Sequence, residues 1–392
     1  MSIRFTRRQL GYAGLAGAAG LALARHPLRA LAAPTKPKKA IVLVFLGGGQ
    51  NQIFSSADSH LAKGHFGVTS SNIRDLGNGV FIDSAFAAGL GTEATSRLGV
   101  FGVAHGQSGH EGGQASFWMD SAPSKLAHLM GGDGALRLVR TGPNAPMATI
   151  FPYESANIEV VSDLEPMIAA VSTLGGDEPD RSVMASLTGA QAEAFRQHQR
   201  LDQSTADGIA SNFETLGKVL ALPSSESGGL AAIPAAYGLQ GTVVNTMTEQ
   251  LAAAEMSVRL GANVVIVHDQ TLIWDFHADL DASAMRARMA ERLMPGLRTF
   301  LDRTLLDPTL DVSVALVSEF NRSLPGSDHA TVLSAPVIGR SVRVATTGRL
   351  DERVGLPDGS PSHDGMWSLF AELGGAVQNP FGPNPHKALL LG

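Results

Sequence analysis

The stretch from Val312 to Ala330, VSVALVSEFNRSLPGSDHA, constrains the fold of this chain more than any other. Val312, Val314, Leu316 and Val317 form a short apolar run rich in β-branched residues, the pattern of a strand covered on both faces in a parallel sheet. Polar chemistry follows at once, with Glu319, Arg322, a Pro325-Gly326 turn and the pair Asp328-His329. Ligands of open α/β sheets sit in the crevice beyond the carboxyl ends of the strands. A carboxylate, a guanidinium and an Asp-His pair at such an end therefore predict a place that can hold a metal.

Other segments repeat the arrangement of strand followed by polar turn. Ala40 to Leu46, AIVLVFL, reads as a central parallel strand and empties into Gly47-Gly48-Gly49-Gln50-Asn51-Gln52. Glycines there allow a sharp turn that brings N–H groups to an anion, which makes Gly48, Gly49 and Asn51 candidate ligand-binding residues; the plainer use is a turn. Leu98 to Val103 reads as the next strand and leads through His105, Ser108 and His110 into a helical pattern. Ser108 is either the N-cap of that helix or a nucleophile, with His110 as its candidate catalytic partner. Farther on, a helix over Met247 to Leu260, a stop at Gly261 and a strand over Asn263 to Val267 make one αβ unit. Asp275 and His277 follow in a loop. Two residues apart, they reach one ion if the loop is extended and both side chains share a face. A helix over Ala282 to Leu305 then leads back to the strand at Val312. Pro336 to Val344 reads as a further strand, and His363 is a ligand or a first-turn residue beside Ser362 at the head of a last helix, Met366 to Leu373.

A chain of 392 residues with 44% hydrophobic content can bury a sizeable core. It has no cysteine, which excludes disulfides, thiolate-bound zinc and a Cys nucleophile. Residues 1–32 read as a twin-arginine export signal, with Arg7-Arg8, a weakly apolar run from Gly11 to Ala24 and a small-x-small site at Ala30-Leu31-Ala32. This leader implies handling by the twin-arginine translocase, a periplasmic or secreted location and no membrane span after cleavage. It holds five Arg and no acid, so 25 basic residues face 36 acidic ones in the remainder, a net charge of −11. That balance argues against nucleic acid or an anionic membrane as partner. Residues 33–39 read as a linker and 40–392 as one α/β domain. Helical patterns at Asp163 to Leu174 and Thr188 to Leu220 predict a mainly helical insertion over about 143–247, in which His198 lies on a polar, solvent-facing side.

Taken in order, the leader, AIVLVFL with GGGQNQ, GQSGHEGGQ, WDFHA, VSEFNR and SDHA resemble the exported bacterial domain-of-unknown-function family DUF1501, itself similar to the alkaline phosphatase and sulfatase superfamily. The resemblance covers most of the chain outside the insertion. It implies an alkaline-phosphatase-like α/β sandwich with a mostly parallel sheet, helices on both faces, and one or two divalent ions (Zn, Mn or Ca) beyond the strand ends. It also implies hydrolysis of a small anionic ester, phosphate or sulfate; the alternative is a non-catalytic relative that binds an anionic ligand or an envelope partner. Carried over, Asp275, His277, Glu319 and His329 are expected metal ligands and Ser108 the candidate nucleophile; the strand-end residues themselves add Asp328 beside His329 as a ligand and Arg322 as the group that pairs with the anionic oxygens. The chain departs from the superfamily at Asn51, where a metal-binding Asp is usual, and at Glu319-Phe320, where Asp-His is usual.

Overall fold

An eight-stranded sheet is built around the opening strand, whose last six residues are buried. The structure, a computed structural model, describes residues 37–391 except 120, 132–135, 155, 166–167, 169–177, 198–229, 231 and 324–328. The leader with Arg7 and Arg8, His198, and the expected ligand Asp328 lie outside the described residues. In chain order the described strands are β1 (Lys38–Phe45), β2 (Ile73–Gly77), β3 (Val80–Asp83), β4 (Leu98–Ala104), β5 (Leu138–Thr141), β6 (Ile158–Val161), β7 (Val264–His268), β8 (Leu310–Val317), β9 (Val332–Gly339) and β10 (Ala345–Thr347). Across the main sheet they lie in the order β10-β4-β9-β8-β1-β7-β5-β6. β1 pairs in parallel with β7 on one side and β8 on the other. Only β9 runs against its neighbours β4 and β8. The carboxyl ends of β1, β4, β7 and β8 therefore share one rim, and the chain enters β9 from that same rim.

The apolar runs at residues 40–46, 98–103, 263–267 and 312–317 all become strands of this sheet. The result is an α/β fold with a mostly parallel central sheet and accompanying helices. Phe45 anchors one part of the core, with Phe117 and Trp118 at 5.2 and 4.9 Å between ring centroids. The helix Met247–Arg259 opens on a capping box between Thr246 and Glu249, and Gly261 follows it at φ +96°, a conformation suited to glycine.

Sequence and structure differ at three places. The helix expected over residues 282–305 runs without interruption from Ser283 to Leu305, but with a π-turn at Met289–Leu293 inside it. Pro295 accounts for the π-turn, because it lacks an N–H and its ring crowds the preceding turn. The insertion expected from about residue 143 contains β6, a four-residue edge strand too short to show its periodicity against helix. The described residues within 165–232 form a compact unit of their own, beginning later than expected; its main described element is the helix Glu178–Arg196. Finally, a hairpin β2–β3 carries its own sequence signal: Asn78-Gly79 joins its strands with both residues at positive φ, as a type I′ turn requires. No helix among the described residues is long and apolar enough to cross a membrane.

Burial holds the imidazoles of His60, His268 and His386 at a pKa of about 4, below the ordinary 6.5; His65 beside His60 adds to the effect there. The folded protein keeps these rings neutral at acidities where the unfolded chain takes up protons. Stability is accordingly expected to be full above the ordinary histidine range and to decline as pH falls from about 6.5 toward 4. Urea midpoints measured across that interval check this, and a flat profile would contradict buried neutral rings.

Candidate metal centre

The glycine turn after β1 is filled by the protein itself. Gly48 N–H donates to Glu319 Oε1 at 2.9 Å, and Gly49 N–H donates to Ser318 Oγ at 3.0 Å. The anion that this loop cradles is thus the carboxylate at the end of the neighbouring strand. Gly48 has φ +116°, and a Cβ there would come within 2.4 Å of the backbone nitrogen of Asp275. The loop after β7 lies directly on this glycine, tied by Trp274 N–H to Gly47 O at 3.0 Å. Asn51 is buried, and its Oδ1 accepts from Ile53 N–H at 3.0 Å to cap the short 3-10 helix Gln52–Phe54. Gly48 and Gly49 therefore stack the rim segments on one another, and Asn51 caps the turn that follows.

The helix His110–Trp118 approaches from β4. Its N-cap is Gly109, with no side-chain cap, so the reading of Ser108 as a cap is corrected; Ser108 is exposed one residue earlier. Gly113, one turn into the helix, lies so close that an added Cβ would sit 3.0 Å from Glu319 Cβ. This closeness lets His110 Nδ1 reach Glu319 Oε1 at 2.8 Å. Ser318 Oγ lies 2.8 Å from Glu319 Oε2. Burial alone would raise the Glu319 pKa, but hydrogen bonds from His110, Ser318 and Gly48 bring it below the usual carboxylate value.

In front of this group four side chains converge. His110, Asp275, His277 and His329 each offer one ligand atom, and these atoms lie within 4.8 Å of one another, a group that could hold a metal ion. Asp275 is the hub. His277 Nε2 lies 3.0 Å and His329 Nε2 3.9 Å from its Oδ1, while His110 Nε2 lies 3.4 Å from its Oδ2. Two ligands of one ion with bonds of about 2.1 Å stand at most about 4.2 Å apart, so small side-chain rotations would close this group on a single ion. His329 Nδ1 is 2.6 Å from Ser108 O, and its ring stacks on Phe320 at 4.2 Å. The Arg322 guanidinium is buried and bonds to Gly48 O and to Asp275 Oδ1, fixing the carboxylate from behind.

Of the residues singled out from sequence, Asp275, His277 and His329 belong to this group, and so does His110, the candidate catalytic partner of Ser108. Glu319 stands behind His110, fully buried, with both oxygens engaged by protein donors. Arg322 is turned onto Asp275. His105 stacks on His363 at 4.9 Å between centroids, and His363 Nδ1 meets Ser116 Oγ at 3.0 Å, so this pair is outside the group. His363 is the first residue of its helix, His363–Gly374. The signal for His110 was present in the sequence, as a histidine in the first helical turn after a strand end.

Gly48→Ala and Gly382→Ala separate conformational cost from close approach. Both positions have positive φ, but nothing lies within 4 Å of a Cβ at Gly382. The expected result is that Gly48→Ala lowers the unfolding free energy by about 1–3 kcal/mol more than Gly382→Ala, as overpacking against backbone does. Equal losses in denaturant titrations would mean that the Asp275 loop does not rest on Gly48.

No protein-family model, curated protein or solved structure matches this chain.

Proposed function

We propose that this chain is an exported, metal-dependent hydrolase of small phosphate or sulfate esters, with one divalent ion held by His110, Asp275, His277 and His329. The convergence of these four donors carries the reading. Their origin beyond the ends of a mostly parallel sheet supports the alkaline-phosphatase-like sandwich that the order of motifs suggests. Three imidazoles and one carboxylate suit zinc, or another transition metal, better than calcium, which prefers oxygen donors throughout. A single carboxylate in the group supports one ion rather than two. Bound there, such an ion would polarise an ester oxygen and lower the pKa of a coordinated water.

The residues themselves divide the remaining work. Arg322 and the Gly48 turn hold Asp275 in place, and Phe320 supports the His329 ring. His277, half exposed, stands at the solvent side, where a ligand would enter. Ser108 is exposed and joined to His329 through its carbonyl, which makes it the hydroxyl proposed as nucleophile.

A second reading, a non-catalytic relative that binds an anionic ligand or an envelope partner, is favoured by one observation. The groups expected to recognise an anion, Arg322 and the N–H groups of Gly48 and Gly49, are turned onto the protein's own Asp275, Glu319 and Ser318. Zinc titration by calorimetry, followed by assays with aryl phosphate and aryl sulfate, decides between them. The hydrolase is expected to bind one equivalent of zinc and turn over one of the esters. Asp275→Ala should weaken zinc by more than the roughly 10–100-fold typical of losing an outer partner, and abolish turnover. Tight zinc binding without turnover of either ester would leave the binding role.

A further inference from the structure

We propose that Glu319 is a positioning residue acting through His110: it holds the imidazole proton on Nδ1 and so turns the Nε2 lone pair into the cluster. The consequence for metal affinity rests on the metal-centre reading above, whereas the tautomer is a property of the protein alone.

The argument is one of donors and acceptors. An ionised carboxylate only accepts hydrogen bonds, so the 2.8 Å contact between Glu319 Oε1 and His110 Nδ1 requires the ring nitrogen to donate. Glu319 is fixed in turn, with Oε1 accepting from Gly48 N–H at 2.9 Å and Oε2 from Ser318 Oγ at 2.8 Å. Donors on both oxygens are what an ionised carboxylate requires. The absence of a side chain at Gly113 keeps the helix close enough for the contact. His329 is set in the same sense from another direction, since Ser108 O, 2.6 Å from Nδ1, can only accept. Both rings therefore point Nε2 at the oxygens of Asp275, at 3.4 and 3.9 Å. Lone pairs facing a carboxylate repel unless a cation lies between them, and an outer partner that fixes a ring nitrogen's proton is how proteins prepare imidazole for metal.

Two variants test this. Glu319→Gln keeps an acceptor for His110, because its amide N–H can donate to Ser318 Oγ while that hydroxyl donates to Leu46 O, already 2.7 Å away. Glu319→Ala removes the acceptor. Imidazole ¹⁵N spectra of the metal-free protein report the tautomer, and competition against a zinc chelator reports affinity. His110 is expected to carry its proton on Nδ1 in the wild type and in Glu319→Gln, and to lose that preference in Glu319→Ala. Zinc should bind Glu319→Ala about 10–100-fold more weakly, and Glu319→Gln within a few-fold of wild type. The same Ala substitution in a His110→Ala background should add no further loss. A wild-type His110 protonated on Nε2, or a penalty of equal size without His110, overturns the proposal. A wild type that binds no zinc would instead remove the metal-centre reading, and the tautomer measured on the wild type would still decide this one.

Discussion

The rim of this molecule depends on a buried carboxylate. Removing Glu319 from water costs several kcal/mol unless its oxygens are matched by donors. The donors come from three places in the chain: the turn after β1, the residue before Glu319, and the first turn of the helix at His110. Meeting that requirement brings the end of β1 against the end of β8 and draws the helix down onto both. The glycines at 48 and 113 are the steric condition for this closeness. Asp275 then lies on top of Gly48, and Arg322 clamps it from the side.

The sheet was largely legible from sequence because its central strands are continuous apolar runs. Four of them are unmistakable in the primary structure, and each ends in a polar turn. β6 was not legible, being four residues on an edge, three half-buried and Val160 exposed. The reversal of β9 was not legible either, because an antiparallel strand buried on both faces has the same composition as a parallel one. Yet that reversal is what delivers His329, since a strand that starts at the rim carries its preceding residue there.

The candidate site was legible as a set of residue types and less so as a set of roles. Asp275, His277 and His329 converge, as strand-end chemistry suggests. Charge at a strand end usually faces a ligand, whereas Glu319 and Arg322 face the protein itself. The sequence could not show that each had a partner inside the fold, because those partners, Gly48 and Asp275, come from other strand ends. His110 was placed beside a serine by proximity along the chain, whereas its partners in space are Glu319 and Asp275, both more than 150 residues away.

The place of β1 between β7 and β8 bears on how the chain assembles. The first described strand has both of its edges covered by segments that begin at Val264 and Leu310. Through synthesis it stays an apolar ribbon with open hydrogen-bonding sides until most of the polypeptide exists, and contacts that close such long loops form slowly. A truncated product lacking β7 and β8 would carry this sticky segment unshielded, so fragments of this chain should aggregate where the full-length product does not.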